Sequence, residues 1–353
     1  MREREGFQFG NRRVGLDSPP LIVAEISANH NGSLERALEI VDAAAEAGAH
    51  AVKLQTFTPD TMTLAVSSAG FVVDDPQSPW HGRTLYDLYE EAQTPWAWHE
   101  PIFVRARERG LLCFSTPFDA SSIAFLERFD PPAYKIASFE ITDLALIAAA
   151  ARTNLNVFLS TGMATVAEID DAVRAVRANG CGGIVLLKCT SIYPALAADG
   201  NLATIPHLRE LFGTEVGLSD HAPGVGVAVG AVALGATLVE KHVTLRRADG
   251  GPDAAFSLQP EELRALVVET ERAWQARGRV RYGPLPVERA SLQFRRSLYV
   301  AEDMRAGEVF TDRNLRVVRP GFGIEPRFYE RVLGRRIAAD AKRGTPVTWE
   351  LLA

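Results

Sequence analysis

LIVAEISANHNGSLERALEIVDAAAEAGAHAVKLQTF, residues 21–57, reads as one strand–helix–strand unit, and that reading sets the fold. LIVAEIS (21–27) is a short apolar run with β-branched residues, and AVKLQTF (51–57) is a second. Between them, in SLERALEIVDAAAEAG (33–48), Leu34, Leu38, Val41 and Ala45 recur at helical spacing, with Ser33 placed to cap the helix and Gly48 to stop it.

The alternation continues through LLCFSTP (111–117), AYKIAS (133–138), NVFLSTG (156–162), GIVLLKCT (183–190), TEVGLSD (214–220) and ATLVEKH (236–242). Helical patterns such as TVAEIDDAVRAVRANG (165–180) and PEELRALVVETERAWQARG (260–278) separate these runs. Eight such units over roughly 250 residues predict a parallel (β/α)8 barrel. A doubly wound open sheet is the competitor; polar residues at the C-terminal end of nearly every run favour the barrel, where such enzymes build their sites. The segment 57–95, rich in Pro, Gly and Ser, is expected to be a functional βα loop carrying the short helix TLYDLYEE. After residue 277 the pattern breaks. The sequence thus predicts a barrel over 1–277, a linker over 278–293 (GRVRYGPLPVERASLQ) and a small β-rich module over 294–353.

Composition narrows the function. The chain has 353 residues, 47% of them hydrophobic, and 38 Lys+Arg against 44 Asp+Glu give a net charge of −6. No basic run suggests a nucleic-acid or membrane surface, so a small-molecule partner is expected. No apolar stretch is long enough for a membrane span, and the polar start MREREGFQFG lacks a signal-peptide core, so a cytoplasmic location is expected. Cys113, Cys181 and Cys189 are not spaced like zinc clips and read as reduced thiols.

The chemistry gathers at the strand ends. In LVEKHVTL (238–245), Glu240 and His242 share one face of a strand and Lys241 takes the other; GLSDHAPG (217–224) repeats the arrangement with Ser219 and His221. Either histidine alone reads as a hydrogen-bonded structural residue. The pair, at equivalent ends of neighbouring strands, points to a divalent metal such as Mn²⁺, Fe²⁺ or Zn²⁺. His30, His50, His81, His99 and His207 read as surface or capping residues. Lys53, Lys135 and Lys188 lie inside apolar runs, where an unpaired ammonium is costly, so they call for an anionic partner. With the hydroxyls of Ser115, Thr116, Ser138, Ser160 and Thr161 they suit a phosphate or carboxylate ligand; a salt bridge to Glu25 or Glu140 is the structural alternative. Those two acids could also orient a sugar or move a proton. Tyr193 reads equally as a ligand contact or a wall residue, and Cys189 as a small core filler.

AEISANHNGS, AVKLQTF, STPF, YKIAS, LSTGM, CTSIYP, GLSDH and EKHVT, in this order, resemble the sialic acid synthase (NeuB-like) family, and RRSLYVAEDMRAGE with VVRPGFG resembles its antifreeze-like SAF domain. The resemblance implies a (β/α)8 TIM barrel with a small C-terminal SAF domain. It implies an enzyme condensing phosphoenolpyruvate with an N-acylated amino sugar, working as a domain-swapped homodimer. It also implies a divalent metal, manganese in first place with magnesium or cobalt as alternatives. Carried over, His221 and His242 would hold the metal. Lys53, Gln55, Thr116, Lys135, Ser138, Ser160 and Ser219 would bind phosphoenolpyruvate. Glu25, Glu140, Tyr193 and Asp253 would surround the sugar, and Arg319 would reach in from a partner chain. TLYDLYEEAQTPWAWH (84–99), RFDPPAYKIASFE (128–140) and KCTSIYP are most similar to the pseudaminic acid branch, whose sugar is a diacetamido-trideoxy hexose, 2,4-diacetamido-2,4,6-trideoxy-L-altrose. Ser191 stands where the sialic acid branch carries an Asn that contacts phosphoenolpyruvate, and Phe139 where it carries a Gly, a pattern that fits a less polar 6-deoxy sugar. An N-acetylneuraminate or legionaminate synthase is the alternative within the family; a non-catalytic carbohydrate-binding protein is the alternative outside it.

Overall fold

In the computed structural model, a short antiparallel hairpin, β1 (Phe7–Phe9) and β2 (Arg12–Val14), precedes eight parallel strands that close into a barrel. Those strands are β3 (Leu21–Glu25), β4 (Ala51–Thr56), β5 (Leu112–Pro117), β6 (Ala133–Ile136), β7 (Asn156–Ser160), β8 (Ile184–Cys189), β9 (Glu215–Asp220) and β10 (Leu238–His242). Each pairs with the next, and β10 closes on β3 through the register Leu238↔Leu21 to His242↔Glu25. The structure describes residues 6–76, 78, 80–180 and 182–353, so the reading of Cys181 as a reduced thiol lies outside it.

The eight apolar runs read from the sequence are these eight strands. The first crossover helix, Leu34–Ala47, is capped as its sequence dictates: the Ser33 side chain accepts from the Arg36 N–H at 3.2 Å, and Gly48 leaves the helix at φ 88°.

Alternation along each strand sorts the side chains into two layers. Ile22, Ala24, Val52, Leu54, Val157, Leu159, Leu186 and Val239 face outward into a core shared with the helices. Inward, the lower half of the barrel is filled by Leu21, Val23, Ala51, Phe114, Ala133, Phe158, Val185, Leu187 and Leu238. The hairpin plugs this end: the Phe9 ring lies edge-on to Phe114 at 5.5 Å and 5.3 Å from Phe158. Burying that ring contributes about 2–3 kcal/mol. Gly217 is required where β8 and β10 crowd β9; a Cβ there would sit 2.5 Å from the Leu238 carbonyl and 2.7 Å from Leu187.

Continued one step up each strand, the same inward parity reaches Glu25, Lys53, Thr116, Lys135, Ser160, Cys189, Ser219 and Glu240. The apolar floor thus gives way to a polar mouth at the C-terminal ends of the strands.

The chain divides into two compact units, Met1–Gly278 and Arg279–Ala353. Part of the segment expected to be linker is ordered as a 3-10 helix, Pro286–Phe294, because Pro286 presets its first turn and Glu288 accepts from the Leu285 N–H at 2.7 Å. The second unit pairs β11 (Ser297–Val300) with β12 (Leu315–Val318) antiparallel, over a core of Leu298, Val300, Phe310, Leu315, Ile337 and Val347. No described helix is long and apolar enough to cross a membrane.

Candidate active site

One cavity of about 350 Å³ opens at the C-terminal end of the barrel, and Lys53, Gln55, Thr116, Lys135, Ser138, Ser160, Tyr193, Ser219, His221 and His242 all line it. Phe118, Ala137, Cys189 and Glu240 complete its wall. Glu25, Asp253 and Ser191 stand directly behind: Glu25 ion-pairs with Lys53, Asp253 Oδ2 lies 3.8 Å from His242 Nδ1, and Ser191 Oγ lies 3.7 Å from Cys189 Sγ. Glu140, on the turn after β6, is near enough for its charge to act on Tyr89 and Tyr193. Arg319 belongs to the second unit.

Three expectations need correction. Lys188 does not join the cationic set. It is one residue out of phase with inward-facing Leu187 and Cys189, so its Nζ instead donates to the Cys189 carbonyl and the Thr190 hydroxyl, both at 3.0 Å. For the same reason Cys189 is a cavity wall residue and not core filler. His30 and His99 are buried, at 1% and 0% exposure, and not at the surface. His99 Nε2 sits 2.7 Å from the Thr56 hydroxyl, which is 2.6 Å from that of Ser115, and burial holds its pKa down to about 4.

The cavity floor is an alternating charge network. Glu240 Oε1 lies 3.2 Å from Lys135 Nζ, 3.7 Å from Lys53 Nζ and 3.2 Å from Ser219 Oγ. Burial alone would raise the Glu240 pKa; Lys135 and Lys53 outweigh it and hold the group below its ordinary value. Lys53 also donates to Thr116 Oγ1 at 2.9 Å. The Ser160 hydroxyl and Glu240 Oε2 have no protein partner although both are buried, so both can bond a ligand in the cavity. Gly162 lets the side walls close: its N–H donates to Ser138 Oγ at 3.2 Å, and a Cβ would fall 2.2 Å from Ser191 Oγ.

The two imidazoles meet, with ring centroids 5.3 Å apart. His221 Nδ1 is 3.0 Å from the Thr190 carbonyl, which can only accept, so Nδ1 carries the proton and a neutral ring keeps its lone pair on Nε2. Burial, then the positive charges of His221, Lys53, Lys135 and Lys241, hold the His242 pKa well below its ordinary value, so this ring is neutral at pH 7. Its Nδ1 is buried without a hydrogen-bond partner. A neutral imidazole with a vacant lone pair in a polar cavity fits a divalent ion. Among the described residues no three His, Cys, Asp or Glu side chains gather to hold one, so its other positions would fall to water and ligand oxygens.

An aromatic wall rises beside the pair: the Tyr193 ring lies 4.4 Å from His221 and 5.2 Å from Phe256, tilted to them by 43° and 53°, and the Trp80 ring lies 6.1 Å from Tyr193. Trp80 comes from the long segment after β4, which forms the helices Pro59–Met62 and Leu85–Ala92. Nothing in the sequence marked Trp80 or Phe256. The cavity-facing position of Cys189 could have been found by the strand parity that placed Glu240 beside His242.

Burial raises Glu140 from 4.5 to about 7. The folded pKa lies above the unfolded one, so its contribution to stability is complete below about 4.5 and is lost as pH rises through 7. Glu140→Gln is therefore expected to be more stable than wild type at pH 8.5 by about 2 kcal/mol after allowance for partial exposure, and to match it at about pH 4. Equal melting of the two proteins across that range would show that the carboxyl is not held protonated.

The chain matches the NeuB family model over residues 40–282 and the SAF domain model over residues 295–353. It belongs to the NeuB family. This NeuB-family chain is 43% identical over 340 residues to the pseudaminic acid synthase of Campylobacter jejuni subsp. jejuni, covering 96% of itself and 97% of that protein. It is 35% identical over 351 residues to the N,N'-diacetyllegionaminic acid synthase of Legionella pneumophila, covering 97% of each. Among solved structures it is similar to the N-acetylneuraminic acid synthetase of Leptospira borgpetersenii in complex with citrate. There the TM-score is 0.73 at 32% identity, over 82% of this chain and 96% of the other.

Proposed function

We propose that the chain is a pseudaminic acid synthase, condensing phosphoenolpyruvate with 2,4-diacetamido-2,4,6-trideoxy-L-altrose and water to give pseudaminic acid and phosphate. The observation that carries this is the single cavity in which Lys53, Lys135 and the hydroxyls of Thr116, Ser138, Ser160 and Ser219 face His221 and His242. An anion grip beside two adjoining imidazoles, of which His242 is held neutral, is what joining a phosphorylated enol to an aldehyde requires. The branch follows from 43% identity to a pseudaminic acid synthase against 35% to a legionaminic acid synthase, and from the apolar wall of Trp80, Tyr193 and Phe256.

Lys53 and Lys135 bind the phosphate and carboxylate of phosphoenolpyruvate and fix its alkene carbon toward the aldehyde, with Gln55 and the hydroxyls completing the contacts. His221 and His242 would hold a divalent ion, manganese first and magnesium or cobalt next. When bound it supplies a Lewis acid for the sugar carbonyl. The alkene carbon attacks the aldehyde carbon, and positive charge develops at the enol carbon. Glu140, with a pKa of about 7, accepts a proton from the water that adds there. The aldehyde oxygen, left as an alkoxide, takes up a proton to become a hydroxyl. The tetrahedral carbon expels phosphate with its bridging oxygen as its own hydroxyl gives up a proton and becomes the product ketone. Glu25 and Asp253 support the sugar side from behind Lys53 and His242.

The working unit is a homodimer in which the C-terminal unit of one chain covers the barrel mouth of another and offers Arg319 to an N-acyl group. Charge supports this: residues 279–353 carry 15 Lys and Arg against 9 Asp and Glu, a net of +6, so residues 1–278 carry −12. Exposed apolar residues follow strands at the mouth, Phe139 at 60%, Met163 at 65% and Ile192 at 58%. The cytoplasm, which supplies phosphoenolpyruvate, is the natural compartment.

Assaying phosphate release from phosphoenolpyruvate with the altrose-type sugar, its legionaminate-type isomer and N-acetylmannosamine tests the branch. Turnover of the first alone is expected. Turnover of N-acetylmannosamine alone would refute the assignment.

A further inference from the structure

We infer that Lys241 is a positioning residue: paired with Asp220, its ammonium locks the turn that carries His221 to the strand end that carries His242, and so sets the spacing of the two imidazoles. The inference rests on reading those imidazoles as a divalent-ion site.

The bonds are specific. Lys241 and Asp220 face each other in the β9–β10 register, and each immediately precedes one of the histidines. Lys241 Nζ donates to Asp220 Oδ2 at 2.8 Å and to the Ala222 carbonyl at 2.5 Å. Asp220 Oδ1 in turn accepts from the Ala222 N–H at 2.9 Å. Both neighbours of His221 in the chain are therefore tied to the residue before His242.

Stability alone does not call for this arrangement. The two side chains are 0% and 3% exposed, pointing away from the cavity into a layer otherwise filled by Val216, Leu218 and Val239. Desolvating two charges roughly cancels their attraction, so an apolar pair of similar volume would hold the fold as well. An apolar pair could not bind the carbonyl and amide of residue 222 and close the turn around His221. Groups that orient metal-binding side chains typically change metal affinity about 10–100-fold when removed.

The test removes both charges together, in Lys241→Met with Asp220→Asn, so that no buried ion is left alone. Mn²⁺ uptake is followed by the paramagnetic resonance of free aqueous Mn²⁺, beside circular dichroism and thermal melting. The expected result is a folded protein whose Mn²⁺ affinity is about 10–100-fold weaker. A folded double variant that binds Mn²⁺ within twofold of wild type would overturn the inference. If the double variant does not fold, Lys241→Met with Asp220→Leu, which also leaves no buried ion alone, decides by the same criterion. Failure of the underlying reading looks different: wild type itself takes up no Mn²⁺, or His221→Ala takes up as much, and either result removes the basis of the inference too.

Discussion

His242→Ala is expected to lower turnover about a thousandfold or more, some 4 kcal/mol of transition-state stabilisation, while the barrel stays folded. The loss is large because the ring supplies one of two nitrogens proposed to hold the ion at the reacting carbonyl. Folding is spared because its Nδ1 makes no hydrogen bond within the protein and its side chain lines an open cavity. Thermal melting close to wild type, together with lost Mn²⁺ uptake, is the paired result expected. Retained metal-dependent turnover would remove His242 from the mechanism.

Lys53→Met is expected to act twice. Its ammonium lies between Glu25 and Glu240, both wholly buried carboxylates, and its removal strips Glu25 of its ion-pair partner. Stability should fall by about 3–5 kcal/mol, the usual cost of orphaning a buried charge, unless Glu25 stays protonated. Glu25 is already raised to about 7, first by burial and against the pull of Lys53, so below pH 7 the penalty shrinks. Adding Glu25→Gln should restore melting at pH 8. Catalysis should not recover: kcat/KM for phosphoenolpyruvate is expected to stay about a hundredfold or more below wild type, because the anion grip is gone. A double variant that regains both would make Lys53 a structural residue only.

The barrel was legible because eight apolar runs each end in polar residues, and periodicity separates them from capped helices such as Leu34–Ala47. The lysine and histidine pairs were legible for the same reason, being charges in otherwise apolar strands. Lys188 misled because it satisfies that criterion on the wrong parity, one residue from Cys189, and faces the Thr190 hydroxyl. The β1–β2 hairpin was missed since its three-residue strands leave too little periodicity beside the charged start of the chain. His99 read as a surface or capping residue because its Thr56 and Ser115 partners are distant in sequence, and only the fold brings their strands together. Trp80 lies in an irregular segment where position follows from tertiary packing alone.

The central claim is that this cavity joins the two carbon skeletons and releases phosphate by breaking the carbon–oxygen bond. Phosphoenolpyruvate labelled with oxygen-18 at its bridging oxygen, incubated with 2,4-diacetamido-2,4,6-trideoxy-L-altrose and followed by mass spectrometry, tests it directly. The account predicts a product of pseudaminic acid mass without the label and phosphate that carries all of it. Label kept in the sugar acid, or no nonulosonic acid formed from that sugar, would contradict it.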